Sequence, residues 1–126
     1  VITGIGIVSA IGNGKEEFWS NLLAGRTGID FIRGFDPSSF PCKLGAEVKD
    51  LRFRDFMSRV QLAYYTLSTK YAYVAFQLAK RDAGIDRLDP GRSDIVMGAA
   101  LTSFDYIERE LAKNEVGAFG GFDPTG

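Results

Sequence analysis

The sequence predicts an α/β fold built on a parallel sheet. Three observations point to it: a β-branched run opens the chain, a second apolar run spans Asp94 to Met97, and helical periodicity follows each of them. Strands alternating with helices are the pattern that covers the faces of a parallel sheet.

The opening run, Val1 and Ile2 leading into Gly4, Ile5, Gly6, Ile7 and Val8, has the length and composition of a strand buried on both faces. Gly4 and Gly6 weaken a strand interior, so they mark places where backbone or a ligand comes close. Ala10 to Gly14 reads as a turn, with Asn13 as N-cap of a helix from Lys15 to Ala24. Glu16 and Glu17 sit in its first turn, where the helix dipole favours negative charge. Phe18, Trp19, Leu22 and Leu23 form one apolar stripe, and Gly25 follows as the C′ stop.

From Thr27 to Phe40 the composition is that of a loop, yet Phe31, Ile32, Phe35 and Phe40 need something to pack against. Lys43 to Val48 predicts a short strand. Arg54 to Asp82 predicts helix, broken near Ser58, because Tyr64, Leu67, Tyr71, Val74, Ala75 and Leu78 recur at spacings of three and four. Ala83-Gly84-Ile85 is its stop, with Ile85 folding back on the last turn. A polar connection, Asp86 to Ser93, then leads into the second buried strand, which ends at Gly98. Ser103 caps a last helix to Lys113 with Phe104, Ile107 and Leu111 on one side. The glycine-rich end from Glu115 to Gly126 predicts no regular structure.

Composition is that of ordinary globular proteins: 45% apolar, 25% charged, net charge -1. No basic run supports a nucleic-acid partner. No apolar stretch reaches the roughly 18 residues that cross a membrane, and the opening lacks the charged start of a signal peptide. One cysteine allows no intramolecular disulfide, so a reducing cytoplasm is the expected compartment. The start on Val1 and the glycine-rich end lead us to expect a piece of a longer protein.

A strand, a glycine turn and a helix also begin phosphate-binding sites. The dinucleotide pattern requires glycine where Ser9 stands, and the phosphate-loop pattern requires Ser or Thr where Glu16 follows Lys15. The glycines are therefore assigned to turn geometry and close packing, with a nucleotide-binding module as the weaker alternative. Glu16 with Glu17, and Glu108 with Glu110, do not face each other on a helix and read as solvated faces. With no histidine and one cysteine, no zinc site and no cofactor are expected.

These residues resemble the β-ketoacyl-acyl-carrier-protein synthases, most closely the type II condensing enzymes of the thiolase fold. The resemblance rests on Val1-Ile2-Thr3-Gly4-Ile5-Gly6, the Ser9 to Gly12 turn, Phe18-Trp19 with Leu22-Leu23-Ala24-Gly25, and Gly28-Ile29. Phe35-Asp36, Glu47-Val48-Lys49-Asp50 and Asp82-Ala83-Gly84-Ile85 extend it, so that residues 1–126 make a partial N-terminal ketosynthase domain.

The resemblance implies a decarboxylative Claisen condensation, in which an acyl group on a cysteine is attacked by a carbanion formed from malonyl carrier protein. The family uses a cysteine at a helix N-terminus and two histidines. This chain has no histidine, and Cys42 lies in a loop with no helix terminus to activate it, so no catalytic residue is assigned. The implied chemistry lies downstream of Gly126, and the 126 residues alone are expected to be inactive.

Where the family carries a glycine-rich loop at the bottom of its acyl pocket, this chain has Gly98-Ala99-Ala100-Leu101-Thr102-Ser103. The resemblance places Leu101, Phe104 and Ile107 as acyl-contacting residues, with ordinary packing as the competing reading. Ala100, Thr102 and Ser103 replace loop glycines, and Tyr65-Thr66-Leu67 replaces a basic stretch. These departures imply a divergent member: an unusual acyl substrate, or a non-condensing chain-length-factor subunit of a heterodimer. The implied partners are acyl carrier protein, acyl and malonyl thioesters, and a second subunit, identical or ketosynthase-like. In the family's fold the rest of the chain and that second subunit cover this sheet. Alone, the chain is expected to expose apolar strands and helix faces.

Overall fold

The computed structural model describes residues 1–99. Two short hairpins and three helices make up the described part. Strand β1 (Val8–Ser9) pairs antiparallel with β2 (Gly12–Asn13), and β3 (Ile29–Phe31) pairs antiparallel with β4 (Leu44–Ala46). Helix α1 (Lys15–Leu23) follows β2; a single 3-10 turn (Phe53–Asp55), α2 (Arg59–Tyr64) and α3 (Leu67–Asp82) follow β4.

The expected opening strand is mostly absent. Residues 1–7 form no ladder, because among the described residues no strand lies beside them to satisfy their N–H and C=O groups. The run instead lies along α3. The Ile5 N–H donates to the Asp82 carboxylate at 2.9 Å. A Cβ on Gly4 would stand 2.7 Å from Ala83 N, and one on Gly6 would collide with the Ala75 carbonyl oxygen. Close backbone approach is thus what the two glycines permit. Val1, Ile2 and Ile5 are exposed rather than buried on both faces.

Asn13 is also not the helix cap. That place falls to Gly14, at φ 92°, while the Asn13 N–H donates to Glu17 Oε2 at 2.7 Å and its side-chain amide to the Lys49 carbonyl at 2.8 Å. The preceding turn is held by Ser9, whose hydroxyl donates to the Gly12 carbonyl at 2.9 Å and accepts from the Ile11 N–H at 3.3 Å. The residue that spoils the dinucleotide pattern is therefore a turn-maker.

Both predicted glycine stops hold. At the end of α1, Gly25 N–H bonds to the Leu22 carbonyl and Arg26 N–H to that of Asn21, each at 3.0 Å. At the end of α3, Gly84 N–H reaches Arg81 at 3.1 Å and Ile85 N–H reaches Lys80 at 3.0 Å. This is the paired arrangement that closes a helix through a left-handed residue, and Gly25 and Gly84 have φ of 63° and 66°. Gly84→Ala is expected to lower the stability of the intact parent by about 1 kcal/mol, read as a shift in denaturant midpoint at unchanged slope.

The predicted helix over 54–82 comes in three pieces. Ser58 caps α2 in a full capping box with Gln61, and Thr66 caps α3 by accepting from the Thr69 N–H. The second break, at Tyr65 and Thr66, was not anticipated; the polar Thr66 side chain that starts a new helix was hidden inside an unbroken apolar rhythm. The strand predicted over 43–48 shortens to Leu44–Ala46. No strand forms over 95–98, and Ile95, Val96 and Met97 are exposed. The predicted helix over 103–113 lies outside the described residues.

Among the described residues the buried apolar side chains are Val74 and Met57. Trp19, Leu22 and Leu23 of the predicted α1 stripe are exposed, as are Ile29, Phe31 and Leu44 of the second hairpin. The expected exposure of apolar helix and strand faces is what the structure shows. Among the described residues no helix is long and apolar enough to cross a membrane.

One ion pair ties the ends of this arrangement together. Lys15 Nζ at the start of α1 donates to the Asp82 carboxylate at the end of α3, which also holds the Ile5 N–H. The Lys15 hydrogen bond, then the Ile5 N–H, lowers the Asp82 pKa from its ordinary value, and the Asp82 hydrogen bond raises that of Lys15. Asp82 therefore adds stability above its unfolded pKa and loses it as pH falls through its depressed folded value. Lys15 adds stability below its unfolded pKa and loses it as pH rises through its raised folded value. In pH titrations of parent stability, Asp82→Asn is expected to remove part of the acid-side loss and leave the neutral plateau flat.

Candidate functional site

The residues singled out as acyl-contacting, Leu101, Phe104 and Ile107, lie outside the described residues, as do Glu108 and Glu110. Cys42 is exposed in the loop between β3 and β4, and its Sγ lies 3.6 Å from the Leu44 carbonyl oxygen. It stands two residues before a strand and not at a helix N-terminus. Glu17 is used to bind the Asn13 N–H, while Glu16 is exposed. Among the described residues no cluster of histidine, cysteine or carboxylates is arranged to hold a metal ion.

Several hollows lie among the described residues, and three of them bear on function. The first, about 450 Å³, is lined by Ile5, Ile7, Phe18 and Trp19, with Lys15 and Glu16 at its edge. Its walls are the opening run and the α1 stripe, so it is a gap between apolar surfaces rather than a polar site.

The second hollow, about 660 Å³, lies between the β3–β4 hairpin and α3 and includes Arg33, Glu47, Lys49 and Tyr71. Its charges are spent on holding the hairpin. Glu47 accepts from the N–H groups of Arg33 at 2.9 Å and Gly34 at 2.8 Å, and Lys49 pairs with Asp30 at 2.9 Å. The Lys49 hydrogen bond, then the Phe31 N–H, lowers the Asp30 pKa; burial first and Glu47 second raise that of Tyr71.

The third, about 680 Å³, runs between the 3-10 turn and α2 and is lined by Arg54, Met57, Ser58, Arg59, Leu62 and Ala63. Nearby, Arg52 pairs with Asp55 at 3.3 Å and the Arg81 guanidinium stacks 4.8 Å from the Phe56 ring centroid. Arg54 and Arg59 have no ion-pair partner among the described residues. Val60 and Tyr64, one turn apart on α2, are exposed beside them. An apolar floor flanked by two guanidinium groups that have no ion-pair partner among the described residues suits an acidic surface with an apolar ridge, since like charges are excluded and opposite ones steered in. Sequence reasoning missed this groove. Its signal was present: Arg52, Arg54 and Arg59 stand within eight residues opposed by Asp55 alone, in a chain of nearly balanced charge.

Comparison with known proteins adds what geometry does not supply. Residues 1–123 match the family described as Beta-ketoacyl synthase, N-terminal domain. The chain is 36% identical over 118 residues to the tetracenomycin polyketide synthase ketoacyl synthase beta subunit of Streptomyces glaucescens, covering 90% of this chain and 28% of that protein. It is 32% identical over 111 residues to 3-oxoacyl-[acyl-carrier-protein] synthase 2 of Coxiella burnetii, covering 86% of this chain and 27% of that one. Among solved structures, the ishigamide ketosynthase/chain length factor superposes with a TM-score of 0.64 at 36% identity, covering 68% of this chain and 21% of the other. The chain thus spans little more than a quarter of the length of the curated relatives it matches.

Proposed function

The chain belongs to the β-ketoacyl synthase family, matching its N-terminal domain, and we propose on that premise that it is the N-terminal part of a 3-oxoacyl-[acyl-carrier-protein] synthase whose reacting residues lie beyond Gly126. The observation that carries this is the family match across residues 1–123 in a sequence without a histidine. The parent's reaction is a condensation. A cysteine thiolate takes the acyl group from its carrier; malonyl carrier protein loses carbon dioxide; the resulting carbanion attacks the acyl carbonyl, and the thiolate leaves. Histidine donors stabilise the oxyanion that forms on the way.

Within that reaction the described residues have a scaffolding role, and the 126-residue piece alone is inactive. Leu101, Phe104 and Ile107 are assigned to the end of the acyl pocket by the resemblance. The groove of Arg54, Met57, Arg59 and Leu62 is assigned to the acyl carrier protein, supported by its two arginines, which have no ion-pair partner among the described residues, beside an apolar floor. Arg59→Glu in the parent is expected to raise KM for the carrier substrate about tenfold and leave kcat within about twofold, in steady-state assays at low salt.

A second reading has its own support. Ala100, Thr102 and Ser103 stand where the family's loop has glycines, and one relative at 36% identity is a ketoacyl synthase beta subunit. On that reading the parent is a non-condensing subunit that shapes a partner's acyl tunnel. Sequencing the parent reading frame separates the cases. A downstream cysteine with two later histidines is expected; another residue in place of that cysteine selects the second reading, and a stop codon after Gly126 ends both.

A further inference from the structure

We propose that Arg81, which does not line the groove of Arg54, Met57, Arg59 and Leu62, is a positioning residue for it: by stacking on Phe56 it holds in place the 3-10 turn that supplies one wall. This rests on reading that groove as the seat of the acyl carrier protein.

The two walls of the groove are anchored differently. One is α2, which supplies Arg59, Leu62 and Ala63 and whose first turn is closed by the capping box of Ser58 with Gln61. The other is the 3-10 turn and the residues just after it, which supply Arg54 and Met57. Within that turn the Asp55 N–H bonds to the Arg52 carbonyl and the Phe56 N–H to that of Phe53, each at 3.0 Å, and Arg52 pairs with Asp55 at 3.3 Å. These bonds set the shape of the turn and not its place in the fold.

Its place is set by two rings. Phe53 packs against Tyr71 with centroids 5.6 Å apart, and the Arg81 guanidinium lies 4.8 Å from the centroid of the Phe56 ring. Tyr71 and Arg81 both belong to α3 and stand about 15 Å apart along its axis. The turn is thus pinned to α3 at two separated points. Without the Arg81 contact one pin remains, and the turn is free to pivot and carry Arg54 away from Arg59.

The chemistry of the second pin suits arginine. A guanidinium is planar and weakly hydrated, so it stacks on a ring face where an ammonium is held less closely. Among the described residues Arg81 has no ion-pair partner that competes with the ring. Lys80 beside it brings the same charge to the end of α3, and among the described residues no ring lies under it.

Steady-state kinetics of the full-length parent test this, with any partner subunit present. The substrates are an acyl carrier thioester and the same acyl group on N-acetylcysteamine, which has no carrier to dock. Arg81→Gln and Phe56→Leu are each expected to raise KM for the carrier substrate about threefold, and the double variant no further, because both break one contact. The kcat, and KM for the carrier-free thioester, are expected to stay within about twofold. Arg81→Lys keeps a cation for the ring and is expected to recover most of the loss. Lys80→Gln removes an equal charge without touching Phe56 and is expected to hold KM within about 1.5-fold. Arg81 is exposed, so its replacement leaves folding intact. A carrier KM unchanged in Arg81→Gln overturns the proposal. So do equal losses in Arg81→Gln and Lys80→Gln, or an equal rise in KM for the carrier-free thioester. Arg59→Glu separates the two ways of failing. When it raises the carrier KM and Arg81→Gln does not, only the positioning role falls; when neither does, the groove is not the carrier's seat and both fall.

Discussion

Heated alone, the 126-residue chain is expected to lose its structure without a cooperative transition. Cooperativity requires a core whose parts stabilise one another, and among the described residues only Val74 and Met57 are buried apolar side chains. Ile5, Trp19, Leu23, Phe31, Ile95 and Val96 are instead exposed. Calorimetry is expected to show a broad trace with no resolved peak, and urea unfolding a slope below about 1 kcal/mol/M. A sharp two-state peak carrying the roughly 60–80 kcal/mol per 100 residues of a normal domain would contradict this. The exposed Ile95-Val96-Met97 run also makes the isolated chain prone to associate, so light scattering on heating is expected to rise with concentration.

In the intact parent, Gly6→Val is expected to be the most damaging single change in the opening run. A Cβ there runs into the Ala75 carbonyl oxygen and stands 2.6 Å from Ala79 N, both in the backbone of α3, where no side chain can swing aside. The cost is expected to reach about 3 kcal/mol or more, the upper end of overpacking, or to prevent folding outright. Gly91→Ala is the comparison, because its Cβ meets only Asp89 Oδ1 at 3.5 Å. It is expected to stay within about 0.5 kcal/mol of the unmodified protein. Denaturant midpoints of the two variants check the contrast.

Elements whose signals are local were legible in the sequence. Helix α1, its glycine stop at Gly25 and the stop of α3 at Gly84 each rest on residues within one turn of the feature they set. The close approach at Gly4 and Gly6 was legible too, though its partner, α3, is more than 65 residues away in the chain. Elements that depend on distant partners were not. The run over 4–8 has strand composition, but a strand is defined by its neighbour, and among the described residues only its last member, Val8, is paired, to Asn13. The run over 95–98 has no pairing partner among them. Asn13 lost the capping role because its amide found the Lys49 carbonyl, a long-range bond that no local pattern announces.

The site divides in the same way. The loop context expected for Cys42, away from any helix N-terminus, is where the structure places it. The groove flanked by Arg54 and Arg59 was written in charge spacing, yet it needed the break at Ser58 to bring Met57 and Leu62 into one floor. Leu101, Phe104 and Ile107 remain assignments from the family resemblance.

Acylation mapping on the full-length parent tests the central claim most directly. The protein is incubated with an acyl carrier thioester, digested, and every cysteine peptide is weighed. The predicted result is one acyl group on a cysteine downstream of Gly126 and none on Cys42. An acyl group on Cys42 would contradict the account.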